Sequence, residues 1–202
     1  MNQDSISQKI LERIHTGVKD DVYIVADFLD FGEYDAIRKA LIRLETKGEI
    51  QRILLGVYYA PQYSSLINEY EAPSPNKVAE ALARKYNWTI VPCGDTALNQ
   101  LGLSTQVPSK WSYISDGPYR EVALENLTIE FKHRNNREIS GMSTLTAMII
   151  QALKALGKDH IDSRHIGIIR RRLSSEEKKT VMEEAQQSNM WIYNMVKRIC
   201  AE

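Results

Sequence analysis

Arg38, Lys39, Arg43 and Arg52 are the side chains whose type and spacing best suit a recognisable task, contact with the phosphates and base edges of a nucleic acid. Tyr34 opens the same segment, and Ile42 and Thr46 share its face, where either can meet a thymine methyl group. For Ile42 the plain alternative is a solitary exposed aliphatic, which needs no functional explanation. A second basic cluster, Arg164, Arg170, Arg171 and Arg172, contains no acidic residue. Three successive arginines point around a helix rather than along one face, so part of this cluster must be solvated or paired internally. It is either a patch facing nucleic acid or a protein partner, or an ordinary solvated helix.

Asp116 and the run Glu130-Phe131-Lys132 suggest different chemistry. An acidic residue on one strand with Glu-x-Lys on the next can hold a magnesium ion and a water for phosphodiester hydrolysis. The motif is short, and the same residues arise on any strand whose outward positions are polar. His133, His160 and His165 have no metal-binding spacing, and the strings PCGD and SDGP lack the arrangement of a phosphate loop. The expectation is therefore a protein without catalytic residues, metal or nucleotide cofactor.

These side chains depend on the elements that carry them. Ser5 to His15 has Ile6, Ile10, Leu11 and Ile14 at helical spacing. The run from Asp21 places Val22, Val25, Ala26, Phe28 and Leu29 close to a second helical stripe, with Gly32 for a sharp turn. A third helix, Tyr34 to Lys47 with Gly48 beyond it, puts Ile37, Ala40, Leu41 and Leu44 inward and Asp35, Arg38, Lys39, Ile42, Arg43 and Thr46 outward. Two short strands follow, Glu49 to Leu54 and Val57 to Ala60, around a tight turn at Leu55 and Gly56, and Arg52 projects from the first. Tyr58 and Tyr59 alternate, so one packs inward and the other can touch a phosphate backbone. Three helices and a hairpin in this order make a winged helix-turn-helix.

Pro73 and Pro75 mark residues 63–76 as a linker between a first domain, 1–62, and a second, 77–202. The second begins with a helix from Pro75 to Tyr86, then strand Thr89 to Cys93, helix Thr96 to Leu101, and strands Trp111 to Ser115, Val122 to Leu124 and Leu127 to His133. Its last third is helical: Ser143 to Leu156, Ser163 to Leu173, Glu176 to Gln187 and Met190 to Ile199. The fold class is thus α+β or α/β, a winged helix followed by a mixed α/β domain with a helical C-terminal third.

With 43% hydrophobic and 26% charged residues the chain has the composition of a folded soluble protein rather than a disordered one. No stretch has the apolar length of a membrane span, and the start MNQDSISQKI lacks the plan of a secretory signal, which points to the cytoplasm. Cys93 and Cys200 stand alone and read as small apolar residues. The 26 Lys+Arg balance 26 Asp+Glu, so whole-molecule charge cannot drive binding to phosphate. The bias is local: Arg38, Lys39, Arg43, Lys47 and Arg52 face only Glu45 and Glu49 between positions 38 and 52.

The segments PCGDTALNQLGLSTQVP (92–108), WSYISDG and LTIEFKHR, taken with the preceding winged helix, resemble the AbiEi-like antitoxin family of transcriptional regulators, in its short branch. The resemblance implies a regulator whose winged helix binds an inverted repeat of double-stranded operator DNA upstream of its own operon. It also implies a second domain that counteracts a toxin of nucleotidyltransferase type, directly or functionally. The expected molecule is a monomer or weak dimer, cooperative on DNA and away from the membrane. Competing readings are a stand-alone winged-helix regulator without a toxin, and a metal-dependent nuclease using Asp116 and Glu130-x-Lys132.

Overall fold

The computed structural model describes residues 3–17, 21–66, 68–124, 127–135 and 141–201, and the chain divides into two compact units, Met1–Asn87 and Trp88–Glu202. The architecture is mixed α+β with a helical C-terminal region.

The first unit runs α1 (Gln3–Thr16), β1 (Val22–Ile24), a 3-10 helix (Val25–Phe31), α2 (Tyr34–Thr46), β2 (Gln51–Leu54), β3 (Val57–Tyr59), β4 (Gln62–Ser64), β5 (Glu69–Glu71) and α3 (Pro75–Tyr86). Its core joins Ile6, Ile10 and Ile14 of α1 to Phe28, to the predicted α2 stripe Ile37, Ala40, Leu41 and Leu44, and to Ile50 and Tyr58. Each Leu or Ile buried in this way contributes about 1.5–3 kcal/mol, so the stripe fixes which face of α2 is left outward.

The predicted second helix is not an α-helix. Val22, Tyr23 and Ile24, all buried, pair antiparallel with Tyr59, Tyr58 and Val57, giving a three-stranded sheet in the order β1-β3-β2. The chain then turns into the 3-10 helix, whose start is held by Asp27: its carboxylate accepts the Ile24 N–H at 2.8 Å. Branched and aromatic side chains with a distant strand to pair with prevailed over a local helical stripe.

The domain boundary also lies later than predicted. Residues 63–76 are not a linker alone, since β4 and β5 form a hairpin with Tyr63 opposite Tyr70. Pro75 sits in the first turn of α3, where its missing N–H costs nothing. α3 buries Val78, Ala79, Ala81, Leu82 and Ala83, and Arg84 donates to the Val22 carbonyl at 2.8 Å and pairs with Asp27 at 3.1 Å. Lys77 reaches Asp21 at 3.6 Å. The helix therefore belongs to the first unit and ends in the left-handed Asn87.

The second unit has a four-stranded sheet in the order β6-β7-β9-β8, from β6 (Ile90–Pro92), β7 (Lys110–Ser115), β8 (Arg120–Leu124) and β9 (Leu127–His133). The β7–β9 pair is parallel and the others antiparallel. Among the described residues five α-helices accompany it, α4 (Gly94–Gln100), α5 (Thr144–Leu156), α6 (Ser163–Arg172), α7 (Ser175–Glu184) and α8 (Met190–Cys200), with short 3-10 helices at Lys158–His160 and Ala185–Gln187. Val91, Cys93 and Ile114 meet Ala147 of α5, and the helices share a core around Ile149, Leu153, Ile169, Val181, Val196 and Ile199. On the other face Phe131 packs against Tyr113 and the edge of Trp88. No helix among the described residues is long and apolar enough to cross a membrane.

Candidate nucleic-acid interface

With Ile37, Ala40, Leu41 and Leu44 inward, the helical wheel leaves Tyr34, Arg38, Lys39, Ile42 and Thr46 exposed. Gly48, at φ +77°, ends the helix; its N–H donates to the Glu45 carbonyl and the next N–H to that of Leu44. Only a residue tolerant of the left-handed region fits there. The chain then passes at once into β2, which lays the hairpin beside α2. At the hairpin tip Gly56, at φ +73°, makes the turn, and Leu55 is 79% exposed.

The predicted DNA-facing residues do not all share one situation. Arg38 and Lys39 make no hydrogen bond or ion pair among the described residues. Arg43 is half-buried and donates to the Ser7 hydroxyl of α1 at 3.4 Å, so it serves the α1–α2 seam. Thr46 turns its hydroxyl back onto the Ile42 carbonyl at 2.9 Å, and Arg52 pairs with Glu45 at 3.2 Å. Tyr58 is buried, its hydroxyl pushed up in pKa by that burial, while Tyr59 donates to Gln51 at 2.6 Å.

Between α2, the hairpin and α3 lies a groove of about 460 Å³ lined by Tyr34, Arg38, Ile42, Arg52, Leu55 and Lys85 over a floor that includes Val25 and Tyr58. Among the described residues no Asp or Glu lines it. A larger hollow of about 690 Å³ in the same unit is lined by His15, Glu49, Gln51 and Tyr70 among others, with a carboxylate and, among the described residues, no Lys or Arg. The smaller groove is thus the one electrostatically suited to an anion. Of Tyr34, Arg38, Ile42, Arg52, Leu55 and Lys85, the last two are absent from the set expected from sequence. Lys85 stands on α3, which the sequence pattern places in the other domain, and Leu55 reads from sequence only as a turn residue.

The second basic cluster comes apart in the structure. Arg170 donates to the carbonyls of Ile199 at 3.1 Å and Arg198 at 2.6 Å, and Arg172 donates to that of Gln100. Both satisfy carbonyls at helix C-termini, of α8 and α4, where a cation also complements the dipole. Arg164 and Arg171 remain exposed or partly so.

Asp116 and Glu130 are not brought together either. Register places Glu130 opposite Ser112, so Asp116 stands four residues along β7 and beyond, about 13 Å away, and its carboxylate accepts the Thr89 N–H at 2.8 Å. Glu130 is 6% exposed and surrounded by donors: Ser112 at 2.9 Å, Lys132 at 3.0 Å, Tyr119 at 3.1 Å and Lys110 at 3.2 Å. Burial alone would raise its pKa, but the bonds from Lys132, Ser112, Lys110 and Tyr119 prevail and hold it at about 2. Lys132 is thereby occupied by the carboxylate. No group of three or more potential metal ligands occurs among the described residues. Cys93 is buried, its thiol pushed up in pKa by burial, and His133 bonds the Gly117 carbonyl at 2.9 Å.

Comparison with known proteins finds no match among curated proteins. Residues 9–181, most of both units, match a family of unknown function, DUF6088, and the chain belongs to that family.

Proposed function

We propose that the first unit is a winged helix-turn-helix that binds double-stranded DNA, with α2 entering the major groove and the β2–β3 hairpin as the wing. One observation carries this reading: among the described residues the groove between helix and hairpin is lined by Arg38 and Arg52 and by no carboxylate, the Glu45 that pairs with Arg52 standing outside the lining, although the chain as a whole is neutral. The exposed Tyr34 and Ile42 add apolar surface for sugars and thymine methyl groups. Arg43 and Thr46, engaged within the unit, contribute to its framework. The resemblance to AbiEi-like antitoxins extends the reading to a cytoplasmic autorepressor, whose second unit answers a nucleotidyltransferase-type toxin.

The test is fluorescence anisotropy with a duplex from the region upstream of the protein's own gene. Replacing Arg38 and Lys39 together by alanine should weaken binding about tenfold or more at physiological salt. It should also reduce the slope of log K against log salt by about 0.9 for each phosphate no longer neutralised. Wild type and double variant binding this duplex equally, with equal slopes, would refute the assignment.

A further inference from the structure

The groove contains one cation whose position is not explained by reaching for a phosphate. Lys85, in the last turn of α3, donates its ammonium to the carbonyl of Leu55 at the hairpin tip. A Cβ added at Gly56 would lie 3.7 Å from that ammonium, so the lysine sits against the turn itself. Its neighbour Arg84 ties the same helix to the Val22 carbonyl and to Asp27, which makes α3 a strut anchored to β1 and the 3-10 helix while gripping the tip. The β2–β3 register shifts between Arg52 and Leu54, an irregularity that increases local twist and re-aims the end of a hairpin. What the strut and the shift jointly present is Leu55, 79% exposed and without charge.

We infer that Lys85 is a positioning residue that fixes the wing so that Leu55 enters the minor groove of the bound duplex. The inference rests on the DNA-binding reading above and specifies what the wing touches. An aliphatic tip cannot grip phosphate, but it fits the sugar walls of the minor groove, and apolar side chains there wedge against base steps. A flexible turn would lose ordering entropy on binding, whereas a tip already tethered to α3 is pre-organised.

Anisotropy on the same upstream duplex tests this with four variants, their folding verified by circular dichroism and thermal melting. Leu55→Ala should weaken binding about tenfold, the burial of one leucine, with the salt slope unchanged. Lys85→Met should weaken it several-fold, again without changing the slope, and Lys85→Arg, which keeps a donor, should bind nearly as wild type does. If Lys85 acts through Leu55, the Lys85→Met/Leu55→Ala double variant should be no weaker than Leu55→Ala alone. A slope lowered by about 0.9 in Lys85→Met, or simple addition in the double variant, would overturn the positioning role while leaving DNA binding intact. Full affinity in Leu55→Ala would overturn the wing's entry into the minor groove. Equal binding by wild type and the Arg38/Lys39 variant would instead remove the reading on which the inference stands.

Discussion

The last turn of α6 and the outer face of α2 use their basic side chains differently. In the second unit Arg170 and Arg172 hold helix-end carbonyls, and Lys110 and Lys132 close on a buried Glu130. In the first, Arg38 and Lys39 stand on the outer face of α2 with no hydrogen bond or ion pair among the described residues. Both segments 38–52 and 164–172 read as basic clusters, so density of positive charge does not separate a structural arginine from one open to a ligand. What separates them is whether unsatisfied acceptors lie within reach. α6 delivers its last turn to the ends of two other helices, whereas the outer face of α2 meets solvent. Charges engaged within the second unit should therefore govern stability and leave ligand affinity alone, and those on the outer face of α2 the reverse.

The largest effect expected on the stability side comes from Glu130. Its carboxyl is held at about 2 against an ordinary 4.5. A depressed folded-state pKa adds stability that is complete above the ordinary value and disappears as pH falls through the folded one, here between about pH 5 and pH 2. The gap corresponds to something on the order of 3 kcal/mol. Urea unfolding at pH 7, 4 and 3 should show wild type losing more stability than Glu130→Gln across that window. Parallel pH profiles for the two proteins would show that the network does not hold the carboxylate as described.

Arg170→Ala comes next, at about 1–3 kcal/mol for charge-assisted bonds to two carbonyls. The same substitution should leave DNA affinity and its salt slope at wild-type values. A shift in the slope would place Arg170 on nucleic acid and end the contrast between the two clusters.

Part of this is legible in the sequence and part is hidden, for identifiable reasons. The inner stripe of α2 and the glycines at 48 and 56 are local features, since helical spacing and backbone tolerance are written in adjacent residues, and the structure has all of them in the expected places. β1 carries a helical stripe in sequence because its strand partner lies some thirty-five residues on, at Val57 to Tyr59. α3 reads as part of the wrong unit because Val22 and Asp27, which hold Arg84, are separated from it by 62 and 57 residues. The roles of Arg170 and Arg172 depend on carbonyls 28, 29 and 72 residues away. Engagement of a charge is a tertiary property, and composition records only its presence.

Glu45 tests the contrast from the other direction, because it is the acidic residue that occupies a cation of the proposed interface. The Arg52–Glu45 pair is 3.2 Å long with both side chains partly exposed, and such pairs contribute only about 0–1 kcal/mol. Glu45→Gln should therefore barely alter the melting temperature. It should release the Arg52 guanidinium and remove a negative charge beside the groove, raising affinity for the upstream duplex roughly threefold and steepening the salt slope by as much as ~0.9. The gain should vanish when Arg52→Gln is added, since no cation is then left to release. A gain that survives in the double variant would mean that Glu45 acts by repelling DNA directly. No gain at all would put Arg52 outside the interface, confining the cationic surface to Arg38 and Lys39.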